Sequence, residues 1–137
     1  MSMADFNTQV INEFRENHGS VGGPFAGAPL LLLHHRGAKS GVERVTPLVY
    51  MRDGERYLIF ASKAGAPENP AWYHNLKAHP DTTIEVGSET IAVTAHELTG
   101  EERDSLYAAQ AAAMPNFKEY QDKTTRTIPV VALSARG

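Results

Sequence analysis

The 137-residue sequence contains no cysteine, which removes disulfides, thiolate metal ligands and a cysteine nucleophile in one step. It holds no apolar run approaching the roughly eighteen residues that cross a bilayer. Its start, Met1 to Asn12, is polar and acidic where a secretory leader is basic and then apolar. A cytoplasmic protein with no integral membrane segment is the expectation. Also missing are a Gly-rich dinucleotide loop, a phosphate loop ending in Gly-Lys-Ser/Thr, and paired histidines at zinc spacing on a helix. Among the six histidines no ligand spacing stands out, and the adjacent His34 and His35 point to opposite faces if they lie on a strand. No metal site is expected. Redox chemistry here would need a borrowed organic cofactor.

The net charge is -3, which argues against a general nucleic-acid binder. The charge is unevenly spread. Between residues 34 and 63, Arg36, Lys39, Arg44, Arg52, Arg56 and Lys63 outweigh Glu43, Asp53 and Glu55, so a local excess of positive charge sits on an acidic chain. Such an island suits capture of one small anion better than tracking of a long polyanion, although a solvated hairpin of mixed charges carries the same composition.

A chain of this length forms one domain, residues 1–137, with a single core. Val10, Ile11 and Phe14 recur at helical spacing, so residues 4–18 are predicted to be an amphipathic helix ending at Gly19. That N-terminal helix, within residues 1–18, is a candidate lid. The Gly, Pro and Ala-rich stretch from Gly19 to Pro29 is predicted as a loop able to gate a site. Leu30 to His35 reads as a buried strand, Glu43 to Met51 as its return, and Arg56 to Ala61 as a third strand after the Asp53-Gly54 turn. Pro47 lacks an N–H and must therefore sit at an edge or a bulge. Asn69 is predicted to cap a helix with Pro70 at its first position and an end near His79. Thr82 to Val86 and Glu89 to Leu98 form a second hairpin. Thr99 and Glu102 are spaced as a capping box for a helix to about Met114, and Pro115 starts a further turn carrying Phe117 and Tyr120. Ile128 to Leu133 supplies a sixth strand. The fold class is mainly β with flanking helices (α+β): six mostly antiparallel strands in a closed or split barrel, which hides its own edges.

Two segments combine chemistry with the right local structure. From Gly37 to Leu48, two cations, a hydroxyl and turn N–H groups lie beside the strand broken by Pro47, and Lys39 with Arg44 suits a phosphate or carboxylate. From Ala61 to Asn75, small residues precede a helix start and Trp72 follows it, so that a flat ring can approach backbone N–H groups. The second segment reads equally as a strand-to-helix connection in which Trp72 fills core.

In this order and spacing, the two segments resemble the deazaflavin (coenzyme F420)-dependent nitroreductase family, and Arg126-Thr127-Ile128-Pro129-Val130 matches its closing strand. The resemblance implies an FMN-binding split-barrel-like fold and an F420H2-dependent oxidoreductase. It implies that Ala38, Lys39, Ser40 and Arg44 meet the phosphate and glutamate-bearing tail, and that Val45, Thr46, Pro47, Leu48 and Val49 meet the cofactor stem and ring edge. Phe60, Ala61, Ser62 and Lys63, with Ala71, Trp72, Tyr73, His74 and Asn75, would flank the deazaflavin ring. The chain departs from nitro-reducing relatives at Met114 to Tyr120, where several tyrosines are replaced and Tyr120 alone keeps a hydroxyl. Tyr120 and Ser62 are therefore the candidates for orienting or protonating an acceptor, in a substrate pocket walled by Trp72, Met114, Phe117 and Tyr120.

The leading expectation is hydride transfer from reduced F420 to an electron-poor acceptor such as a quinone, an α,β-unsaturated carbonyl or lactone, or a nitroaromatic compound. The same barrel binding FMN is an alternative. So is a non-catalytic cofactor-binding protein, and so is a purely structural barrel. The expected partner is a small-molecule acceptor, with no nucleic acid; a homodimer is a further candidate.

Overall fold

The computed structural model describes residues 3–22 and 28–136. Most of the loop predicted over residues 19–29 is covered, but its centre, residues 23–27, lies outside the described residues. The chain runs α1 (Met3–Glu16), β1 (Leu30–Arg36), β2 (Glu43–Asp53), β3 (Arg56–Phe60), α2 (Ala71–Ala78), β4 (Asp81–Val86), β5 (Glu89–Leu98), α3 (Gly100–Ala113), α4 (Asn116–Lys123) and β6 (Val130–Ala135). A short 3-10 turn, Lys63–Gly65, follows β3.

The strands close into an antiparallel barrel in the order β1-β2-β3-β6-β5-β4, as the six-strand reading requires. The consecutive leucines of β1 explain themselves here. Leu31 and Leu33 enter the barrel interior with Ile59, Ile84, Val93 and Leu133, while Leu30 and Leu32 face outward beneath Val10 and Phe14 of α1. Both faces are buried, so alternation disappears. β3 and β6 show the same two-sidedness. Tyr57, Ile59, Val131 and Leu133 point inward, whereas Leu58, Phe60, Val130 and Ala132 pack under Tyr107 of α3 and Phe117 of α4. α1 is thus a cover over the outer face of β1 and β2. Trp72, Tyr73 and Leu76 of α2 pack into the interior cluster.

Two predicted caps are not made. Thr99 occupies the N-cap position of α3 without a side-chain cap bond, and Glu102 instead accepts from Arg56 at 3.1 Å. Pro70, not Asn69, is the N-cap residue of α2. The Asn69 amide oxygen is taken by Arg126 at 2.7 Å, a charge-assisted bond that outcompetes a cap.

The barrel is split along β2. Residues Glu43 to Val49 pair with β1, but pairing with β3 begins only at Tyr50↔Ile59 and runs to Asp53↔Arg56. One backbone edge of β2 is therefore without a strand partner before Tyr50, and Pro47 lies in that stretch, where a missing N–H costs nothing.

Candidate active site

A cleft of about 460 Å³ opens at the unpaired edge of β2. Pro47, Leu48 and Val49 form one wall, Phe60 to Ala64 contribute the floor, Pro70 and Trp72 enter from α2, and Met114, Asn116, Phe117 and Tyr120 close the far side. Every residue predicted for the substrate pocket, Trp72, Met114, Phe117 and Tyr120, lines this one cleft, together with Ser62. Ala28, Ala64, Pro70 and Asn116 line it too; each lies in a stretch that the sequence marks, the 19–29 loop, the Ala61 to Asn75 segment or Met114 to Tyr120, but none is among the predicted pocket residues.

The floor is made by strained backbone. Lys63 and Ala64 are both left-handed, at φ 46° and 54°, followed by Gly65 at φ 83°. Non-glycine residues reach this region at a cost of order 1 kcal/mol or more each, so the surrounding structure must impose it. The Arg126 guanidinium does so. It donates to the carbonyls of Ser62 at 2.9 Å and Ala66 at 3.0 Å and to Asn69 Oδ1 at 2.7 Å, fastening both ends of the turn. Burial pushes the Arg126 pKa down from its ordinary value, with the Glu68 carboxylate opposing. One consequence is that the N–H groups of Lys63 and Ala64 find no acceptor among the described residues. Successive free N–H groups of this kind form an anion-accepting concavity.

Opposite the floor, the helices are pinned. Phe60, Tyr107 and Phe117 meet edge to face with centroids 5.6 to 6.4 Å apart, and Tyr107 Oη donates to the Phe117 carbonyl at 2.5 Å. Burial pushes the Tyr107 phenol up to about 12, so it remains a donor. Asn116 Nδ2 donates to Tyr120 Oη at 3.0 Å. The phenol oxygen is thereby occupied as an acceptor, which leaves its own proton for a molecule in the cleft.

The basic turn lies at the end of the β1–β2 hairpin. Gly41 adopts φ 69°, and the Ser40 hydroxyl oxygen accepts from the Val42 N–H at 3.2 Å. Ala38, Lys39, Ser40 and Arg44 are exposed. Among the described residues Arg36, Lys39 and Arg44 make no ion pair; of the other cations, Arg15, Arg56, Lys63, Lys77, Arg103, Lys118 and Arg136 are ion-paired, Arg52 and Arg126 are spent on hydrogen bonds, and Lys123 is unpaired away from the hairpin. Unpaired cations on an acidic protein form a ready anion site.

The predicted cofactor residues therefore fall into three places. Pro47, Leu48, Val49, Phe60, Ser62, Lys63 and Trp72 line the cleft, whereas Ala61 is fully buried in the interior cluster and does not line it. Ala38, Lys39, Ser40 and Arg44 sit on the hairpin, with Val45 packed toward α1 and Thr46 turned to His35. Ala71 and His74 are exposed on α2 away from the cleft lining, and Tyr73 is on its opposite side, donating to Glu97 Oε1 at 2.7 Å. Asn75 is buried and bonds to His35 and Ala38. His35 itself is held well below its ordinary pKa, at about 4, by burial and by the neighbouring Arg44 and His34 charges. Among the described residues no group of side chains is arranged to hold a metal ion.

Residues 7–135 match the profile of a family described as F420H(2)-dependent quinone reductase. The chain belongs to that family. An F420H(2)-dependent quinone reductase of Mycobacterium tuberculosis (strain H37Rv) is 45% identical over 90% of this chain and 85% of its own length. Among solved structures, an F420-H2-dependent reductase (FDR-A) superposes with a TM-score of 0.71 and 40% identity, covering 77% of this chain and 94% of that one. Another, described as a domain-swapped dimer, has a TM-score of 0.73 and 35% identity over 97% of this chain and 100% of its own. The family is F420H2-dependent, so its cofactor is reduced coenzyme F420, and its members are oxidoreductases with this six-stranded barrel. Among the described residues no helix is long and apolar enough to cross a membrane.

Proposed function

We propose that this chain, as one split-barrel domain, transfers a hydride from reduced F420 to a quinone bound in the cleft beside Trp72 and Tyr120. The observation that carries the reading is the joining of three unpaired cations to an apolar cleft through one helix. Asn75 of α2 bonds to Ala38 of the hairpin at 3.0 Å, and Trp72, one turn earlier on α2, lines the cleft. A ligand with a flat apolar ring and a polyanionic tail matches both ends.

In this reading Lys39, Arg44 and the Ala38 and Ser40 turn hold the phosphate and glutamate-bearing tail, while the edge from Val45 to Val49 runs along the stem. Phe60 to Lys63 and Trp72 flank the ring, and the free N–H groups of Lys63 and Ala64 donate to its electron-rich edge. When bound, reduced F420 supplies the hydride. The protein supplies position and a proton. Hydride addition to a quinone leaves a hydroquinone anion, and protonation of that oxygen completes the two-electron reduction. Tyr120, freed to donate by Asn116, is placed for that proton, and Ser62 on the floor is the second donor for orienting the acceptor. The mixture of Phe117, Met114 and Trp72 walls suits a flat apolar acceptor.

A cysteine-free chain that works with a reduced cofactor suits the cytoplasm, and the domain-swapped dimer found among its relatives supports a homodimer. The test is fluorescence titration with F420 and, in parallel, FMN, followed by anaerobic addition of menadione to the reduced complex. Saturable F420 binding with menadione-dependent oxidation is expected. FMN preference, or binding without turnover, overturns the reading.

A further inference from the structure

Away from the cleft, His35 is buried on β1, 5% exposed, and it faces another buried polar side chain, Asn75 of α2, 8% exposed. Neither reaches the cleft lining. Asn75 Nδ2 donates to His35 Nδ1 at 2.9 Å. That bond fixes the tautomer, because a ring nitrogen that accepts carries no proton, so His35 Nε2 carries it and donates to Thr46 Oγ1 at 2.8 Å. The amide oxygen of Asn75 then accepts the N–H of Ala38 at 3.0 Å. A continuous relay runs from Thr46 on β2 through His35 on β1 and Asn75 on α2 to Ala38 of the basic turn.

We infer that the His35–Asn75 relay is a positioning device that holds the Gly37–Val42 turn in its anion-binding shape, so that Lys39 and Arg44 meet the cofactor tail without first having to be ordered. The inference rests on the proposed function. The turn is exposed, contains a left-handed glycine, and has little else to fix its position relative to α2. Beyond its own internal bonds, the one polar contact from the tip to another element among the described residues is Ala38 to Asn75. Asn75 has its oxygen spent on Ala38 and its nitrogen on His35, so it supports the site from behind. A loop ordered in advance binds more tightly because less conformational entropy is lost on association. The effect must fall on tail affinity and not on the transfer step, since the turn is remote from Tyr120 and Ser62.

The experiment compares wild type, Asn75→Leu and His35→Gln in fluorescence titrations with F420 and with the tail-free deazaflavin, which keeps the ring and ribityl chain but lacks the phosphate and glutamates. Leucine removes both bonds at similar volume. Glutamine can accept from Asn75 and donate to Thr46 as the imidazole does. Asn75→Leu is expected to weaken F420 binding about ten-fold, the worth of roughly one buried hydrogen bond, and to leave the tail-free compound and kcat at saturating F420 within about two-fold. His35→Gln should stay within about two-fold of wild type for both ligands. Amide exchange on the wild-type protein adds a readout independent of any variant's folding, in which the Ala38 N–H should be protected while those of Lys39 and Ser40 exchange freely. Unchanged F420 affinity in Asn75→Leu, equal weakening of both ligands, an equal loss in His35→Gln, or an unprotected Ala38 amide overturns the inference. Failure of the wild type to bind F420 instead overturns the proposed function, and this inference with it.

Discussion

Gly65 and Tyr120 meet backbone to backbone: a β-carbon on Gly65 would stand 2.8 Å from the Tyr120 carbonyl oxygen and 3.2 Å from its α-carbon. The turn that floors the cleft and the helix that carries its hydroxyl are thus in direct contact through a residue with no side chain. Gly65→Ala adds a clash with unyielding backbone to the strain of φ 83°, and is expected to cost roughly 2 to 4 kcal/mol. Urea unfolding would show the lowered midpoint. Where the variant stays folded, displacement of α4 should lower turnover more than F420 affinity.

Arg126 is the second point of leverage on the floor. Its three acceptors are a carbonyl before the left-handed pair, a carbonyl after it, and Asn69 beyond, and a planar guanidinium is the side chain that addresses all three. Arg126→Gln should destabilise by about 2 to 4 kcal/mol, since three charge-assisted hydrogen bonds are lost and the half-buried Ala66 carbonyl loses its partner, while the Ser62 carbonyl keeps only the Gly65 N–H. Arg126→Lys should recover less than half of that loss, because one ammonium cannot span the set. Amide exchange at Gly65 and Ala66 would rise in both variants; unchanged exchange would show that the strained turn is held by something else.

The sequence made the barrel legible wherever local pattern and tertiary position agree. The Asp53-Gly54 turn, the doubly buried leucines of β1, and β5 over Glu89–Leu98 are where periodicity puts them. The cleft walls from β2 and α4 were legible too, since Pro47 marks an edge and Phe117 with Tyr120 share a helical face. What escaped was long-range. The bonds of Arg126 join residues 57 to 64 positions away, and no local spacing signals them. The left-handed Lys63 and Ala64 carry no glycine to announce them. The capping expectations failed for the same reason: Asn69 and Glu102 have local partners in principle, but arginines brought in by the fold, Arg126 and Arg56, are stronger ones.

The buried His35 predicts a specific dependence of stability on pH. Its folded pKa of about 4 lies below the ordinary value of 6.5, so the unfolded chain binds the proton more readily than the native one. Stability is therefore full above about pH 7, falls as pH drops through the unfolded value, and stops falling from this source below about pH 4. Between pH 7 and pH 5 the loss is roughly 2 kcal/mol. Glu85, whose pKa is lowered chiefly by its bond to Arg15, adds its own loss only below its ordinary value of 4.5, outside that window. Chemical denaturation at a series of pH values should show the slope in wild type and its disappearance in His35→Gln. A slope shared by both proteins would place the titrating group elsewhere.

Tyr120 is the proposed proton donor of the reaction, and its hydroxyl can be tested alone. Its oxygen accepts from Asn116, its ring lies 5.4 Å from Phe117, and it lines the cleft without being fully buried. Removing the hydroxyl alone, in Tyr120→Phe, keeps the edge-to-face packing and the cleft's shape, so F420 affinity should not move. If the phenol donates to the reduced quinone oxygen, kcat with menadione falls by roughly ten- to a hundred-fold, at or below the foot of the range of about a hundred- to ten-thousand-fold for a positioned acid, because water can substitute in part. Asn116→Leu should give a smaller loss of the same kind, since the phenol remains but is free to turn its proton elsewhere. Equal kcat in wild type and Tyr120→Phe would remove Tyr120 from the chemistry and leave Ser62 to supply the donor.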